Sequence, residues 1–89
     1  MIQSTITISN KLGLHARASA KLTKLAGSFR SEVHLARAGR RVNAKSIMGV
    51  MMLAAGLGSE VTIETSGEDE EAAMAALRQL FEAKFGEAE

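Results

Sequence analysis

The chain has 89 residues, enough for one hydrophobic core without covalent staples, so residues 1–89 are expected to form a single domain. Apolar residues make up 46% and charged ones 24%, with a net charge of +1, which excludes a strong field drawing the chain to nucleic acid or to an anionic membrane. There is no cysteine, so disulfides, Cys-ligated zinc and thiol catalysis are excluded, and with no Tyr, no Trp and three Phe there is little to stack on nucleobases.

The opening MIQSTITISN lacks a basic stretch followed by an apolar one, and no signal peptide is expected. Its STITIS segment alternates and is β-branched, which predicts a first strand with Ile2, Ile6 and Ile8 on one buried face. NKLG breaks the pattern. From Ala16 to about Gly27 a helix is predicted, with Ala18, Leu22, Leu25 and then Phe29 at helical spacing and Gly27 as its stop. SEVHLAR alternates again, Val33 and Leu35 inward and His34 outward, and AGR turns it into a partner strand around Arg41 to Ala44.

A short helix is predicted from Ile47, closing near Gly56 or Gly58. EVTIET is a fourth strand with Val61 and Ile63 inward. SGEDEEAAMAALRQLFEAKF is a last helix whose acids crowd the first turn, where the dipole favours them, with Ala73, Leu77, Leu80, Phe81 and Lys84 on one face. The order β-α-β-β-α-β-α, with a tight hairpin inside it, predicts an α+β fold: an antiparallel or mixed sheet with its helices on one face. The longest near-continuous apolar run, IMGVMMLAAGLG, falls far short of the roughly 20 residues of a spanning helix, so no membrane insertion is expected. A cytoplasmic protein is the expectation.

Within GLHARASAKL, His15 stands where a helix begins, a position usually held by Ser, Thr, Asp or Asn. Free backbone N–H groups and the helix dipole make such a start an anion site, and a neutral imidazole nitrogen is a nucleophile. A phosphoryl group on that ring would lie against the N–H groups of Ala16 and Arg17, and the Arg17 guanidinium suits phosphate oxygens. The alternatives are an inert histidine at a loop end and a solvated arginine. Ser46, just before the second helix, is an N-cap by type, and a helix start also tolerates phosphoserine.

On that second helix Val50, Leu53, Ala54 and Leu57 cluster as candidate core, whereas Ile47, Met48 and Met51 fall on another side. Either the helix is buried nearly all round, or those three form a partner surface. On the first helix Ala16, Ala20 and Lys24 share a stripe beside Arg17 and Lys21, suited to an acidic partner or simply solvated. The two histidines have no ligand-like spacing, so no metal is expected, and AAGLGSE precedes a strand instead of opening a helix, so no nucleotide cofactor is expected either.

GLHAR before a helix, then NAKSIMGVMMLAAGLGSEVTI, then SGEDEEAAMAAL, resembles the HPr family, the histidine phosphocarriers of the bacterial phosphotransferase system. The match runs from the first strand to the last helix. The resemblance implies an open-faced β-sandwich, four antiparallel strands with three helices on one face. It implies that His15 takes a phosphoryl group on Nδ1 from phosphorylated enzyme I and passes it to an enzyme IIA domain, with Arg17 holding the phosphate.

It further implies that Ser46 is phosphorylated by the HPr kinase/phosphorylase, that Ala16, Ala20, Lys24, Ile47, Met48 and Met51 dock partners, and that the protein acts as a monomer. One departure stands out: the family's proline after the arginine is Ala18 here, and the chain has no proline. Rival readings are a Ser46-switched interaction module with His15 silent, a nitrogen-branch phosphocarrier, and a ferredoxin-like domain binding a small ligand. The last leaves GLHAR unexplained.

Overall fold

Alternation along the strands produces the sheet. A computed structural model, describing Met1–Glu89, places β1 at Ile2–Thr7, β2 at Glu32–Arg37, β3 at Arg40–Asn43 and β4 at Glu60–Ser66. They form one antiparallel sheet in the order β1-β4-β2-β3. Val33, Leu35, Val61 and Ile63 point to one face and are buried, and Ile8 closes the same layer just past β1. Helices α1 (Ala16–Gly27), α2 (Ile47–Met52) and α3 (Glu70–Glu82) cover that face.

They contribute Ala18, Leu22 and Ala26, then Val50, then Met74, Leu77 and Phe81 to one shared core. The result is the open-faced sandwich. The uncovered face is polar: the Thr5 and Thr62 hydroxyls meet at 3.1 Å, and Arg41 Nε donates to Glu64 Oε1 at 2.8 Å. His34 lies on it, in register with Asn43 on one side and Glu64 on the other.

Two helix ends differ from expectation. Helix α2 stops at Met52 instead of running to Gly56 or Gly58, and Ala54 takes a positive φ of 50°. Leu57, expected in the core, is 61% exposed, and Ala54 is exposed too; Val50 and Leu53 are buried as expected. The cause is tertiary. Leu14 N–H donates to Ala55 O, Gly58 N–H to Ile8 O and Ile8 N–H to Ser59 O, each at 2.9 Å, and a continuing helix would consume or misplace those groups.

Helix α3 likewise ends at Glu82, so Lys84 is not on its face. Lys84 and Phe85 have φ of 55° and 56°, which folds Phe85 back into the core against Phe81, ring centroids 5.0 Å apart and edge to face. The 3-10 turn that these two residues form with Gly86, Lys84–Gly86, directs the last residues back toward the start of α1. β3 begins one residue earlier than expected, and Ala44 is a buried loop residue whose N–H reaches Val33 O at 2.9 Å.

Candidate functional site

The loop from β1 to α1 is held on both sides. Gly13 has φ of 63°, and a Cβ there would come within 2.4 Å of Ala55 O, so the approach that lets Leu14 bond Ala55 requires glycine. Asn10 is fully buried beneath this loop, and its Nδ2 donates to Gly13 O at 2.9 Å and to Glu87 Oε1 at 3.1 Å. The loop therefore delivers His15 to the N-cap of α1 in extended geometry, φ −74° and ψ 178°, with its carbonyl accepting from Ser19 N–H at 2.8 Å.

The His15 side chain caps nothing. Its ring is 27% exposed, and Nε2 is hydrogen-bonded to Glu87 Oε2, while Nδ1 has no protein partner. The N–H groups of Ala16, Arg17 and Ala18 have no acceptor in the protein, as expected of a helix start. Arg17 is exposed, forms no ion pair, and lines a shallow cleft with His15, Lys11 and Leu12. Glu87 is held below the usual carboxylate range, first by the Asn10 hydrogen bond and then by that from His15. It is an anion at neutral pH.

Ser46 is the N-cap of α2, in extended backbone, and its Oγ accepts from Gly49 N–H at 3.1 Å. Ile47, Met48 and Met51 are exposed to 45%, 71% and 41%, so the helix is not buried all round. Met52, Leu57 and Leu12 extend the exposed apolar set, which the sequence pattern did not single out. Ala16, Ala20 and Lys24 are exposed on α1, which packs against α2 on the same side of the sheet. Lys21 departs from the expected positive rim: its Nζ donates to Phe85 O at 2.7 Å, tying α1 to the C-terminal turn.

Sequence reasoning missed Asn10 and Glu87, and it placed Lys21 on the positive rim without its bond to the C-terminal turn. Only Phe85 hinted at them, since an aromatic beyond the last helical turn signals a chain that returns to the core. Nothing in the side-chain set gathers three metal-ligating groups.

Sheet, helices and ring together define a small open-faced sandwich that carries one accessible histidine nitrogen at an unsatisfied helix start. Comparison with known proteins makes this specific. The family described as PTS HPr component phosphorylation site matches residues 2–83. A phosphocarrier protein HPr of Cupriavidus necator is 66% identical over the whole of both chains. A phosphocarrier protein NPr of Shewanella violacea is 41% identical, covering 98% of this chain and 96% of its own. The crystal structure of HPr-C-His from Thermoanaerobacter tengcongensis superposes with a TM-score of 0.96 at 45% identity, over all of both chains. The chain belongs to the HPr family of phosphotransferase-system phosphocarriers.

Proposed function

We propose that His15 Nδ1 accepts a phosphoryl group from phosphorylated enzyme I and donates it to an enzyme IIA domain. In the first transfer the Nδ1 lone pair forms an N–P bond as the bond to the enzyme I donor atom breaks. In the second the same bond breaks toward the IIA acceptor, and the ring returns to its starting state. The observation that carries this reading is the unpartnered Nδ1 of a partly exposed ring at a helix start whose first N–H groups have no acceptor. Those donors and the free Arg17 guanidinium supply hydrogen bonds and charge to the phosphoryl oxygens.

Exposure matters as much as stabilisation. A buried phosphate would be held too firmly to leave, whereas a surface site holds it weakly enough to pass on. Ile47, Met48 and Met51 with Ala16, Ala20 and Lys24 form the docking face for both partners, apolar at its centre and positive at its edge. Ser46 is the regulatory position, phosphorylated by the HPr kinase/phosphorylase, because its hydroxyl stands at the border of that face. The greater likeness to the HPr of Cupriavidus necator than to the NPr of Shewanella violacea, 66% against 41%, favours an HPr-type carrier over an NPr-type one.

The test is incubation with phosphoenolpyruvate and enzyme I, followed by intact mass at neutral and acid pH. One acid-labile phosphate is expected on the wild type and none on His15→Ala, with the circular dichroism of the variant unchanged. Acid-labile phosphate on His15→Ala, or on His34, refutes the assignment.

A further inference from the structure

Glu87 lies 72 residues from His15 in sequence and divides its carboxylate between two donors, Asn10 Nδ2 on Oε1 and the His15 ring on Oε2. The Asn10 amide has no freedom to turn over. Its Nδ2 also donates to Gly13 O at 2.9 Å, so the flipped amide would set its oxygen against both a carbonyl and a carboxylate. Its own Oδ1 is buried without a partner, an arrangement tolerated because Nδ2 serves two acceptors at once.

An ionised carboxylate only accepts, so the ring nitrogen facing it must carry the proton, whether the imidazole is neutral or charged. The tail is secured independently of this contact, through Lys21 Nζ to Phe85 O at 2.7 Å and Lys11 N–H to Glu89 O at 3.0 Å. The other charges near the pair are Lys11, Arg17 and Lys21 on one side and Glu89 on the other.

We infer that Glu87 is a positioning residue for phosphoryl transfer: it keeps the proton on His15 Nε2 and so reserves the Nδ1 lone pair for phosphorus. The inference rests on His15 being the acceptor. Its sharpest consequence concerns the amide variant. In Glu87→Gln the single carbonyl oxygen is claimed by Asn10, which remains a donor, and the new NH2 group faces Nε2. That nitrogen must then accept, which moves the proton of the neutral ring to Nδ1 and removes the nucleophile. Glu87→Ala imposes nothing and leaves the ring to distribute its proton as in water. The isosteric variant is therefore the more damaging.

The experiment measures the 15N shifts of the ring nitrogens at neutral pH, His34 being identified with a His34→Gln variant, together with the kinetics of acceptance from phosphorylated enzyme I. Wild type should show a protonated Nε2 and a bare Nδ1, Glu87→Gln the reverse, and Glu87→Ala a mixture. The maximal rate should fall about 10-fold or more in Glu87→Gln, a modest fraction of the loss seen when a buried catalytic histidine is given the wrong tautomer. The fall in Glu87→Ala should be smaller, and KM should change little in either variant.

Wild-type ring shifts in Glu87→Gln, or a rate in that variant equal to or above that of Glu87→Ala, would overturn the inference. A merely structural role for Glu87 predicts that outcome, since Gln preserves the shape. His15→Ala, run alongside, separates the two claims. Acid-labile phosphate on that variant removes the acceptor assignment, while the ring shifts still decide what Glu87 does to the tautomer.

Discussion

Substitutions at Ser46 separate the stability of α2 from the charge at its start. Ser46→Ala removes the one hydrogen bond the cap makes, from Gly49 N–H to Oγ at 3.1 Å. Loss of such a cap costs about 1 kcal/mol, and in a domain of 89 residues that lowers the melting temperature by about 4–8 °C. Ser46→Asp should behave differently, because aspartate caps as well as serine does and its charge suits a helix start; the melting temperature should stay within about 2 °C of wild type.

Binding should show the reverse order. The new carboxylate adjoins Ile47 and Met48, and each acidic group of a partner held about 8 Å away across water adds about 0.5 kcal/mol of repulsion, or roughly 2-fold. Three such groups slow association by about 10-fold at low salt, and phosphoserine, with about −1.5 to −2 charge, by more. The effect should fade in 1 M salt, where the screening length shrinks to about 3 Å. Thermal circular dichroism and stopped-flow association with enzyme I check both halves. Equal destabilisation by Ala and Asp refutes the cap argument, and slowing that ignores salt, or no slowing, refutes the charge argument.

Three further outcomes are expected. Met48→Asp should weaken binding to both enzyme I and IIA by about 2 kcal/mol, roughly 30-fold, with the fold unchanged, as measured by titration calorimetry; unaltered affinities would remove Met48 from the docking face. Ala18→Pro should raise stability by about 0.4–1 kcal/mol with transfer intact, because the Ala18 N–H has no acceptor to lose; a lower melting temperature would show that Arg17 cannot adopt the backbone a following proline demands. Asp69 is lowered from 3.8 to about 2, chiefly by the Ser31 hydroxyl and then the Arg30 N–H. The unfolded chain thus takes up a proton first as pH falls, so the contribution of Asp69 is complete above 3.8 and lost on descending to about 2. Asp69→Asn should flatten the acid limb of the stability curve, and an unchanged limb would refute the assignment.

The elements that were legible in the sequence are those whose cause is local. Period-two alternation in STITIS, SEVHLAR and EVTIET marks strands because each strand turns one face to the helices and the other away from them. GLHAR is legible for the same reason: Gly13, His15 and the start of α1 are contiguous, and the tight turn and the helix start are both backbone events. The bounds of α1, Ala16–Gly27, follow from spacing and a terminal glycine alone. The ends of α2 and α3 are not local. Ala54 and Phe85 leave helical geometry because partners elsewhere, Leu14 and Ile8 for one segment and Phe81 and Lys21 for the other, claim the following groups. Helical periodicity continued past Met52 on Leu57, and no propensity in AAGLG indicates where the backbone is requisitioned.

The same division runs through the candidate site. His15, Arg17, Ser46 and the methionines of α2 stand in two contiguous motifs, and their exposure follows from helix starts and helix faces. Glu87 comes to the ring by a different route. Phe85 must return to the core, its positive φ and the Lys21 bond to its carbonyl set the direction of the last residues, and the buried Asn10 amide then selects a carboxylate over its isostere. No periodicity records that chain of causes, since each link is a contact between elements far apart in sequence. A histidine motif identifies the nitrogen pair; that Nε2 and not Nδ1 meets a carboxylate follows from a contact that only the folded chain makes.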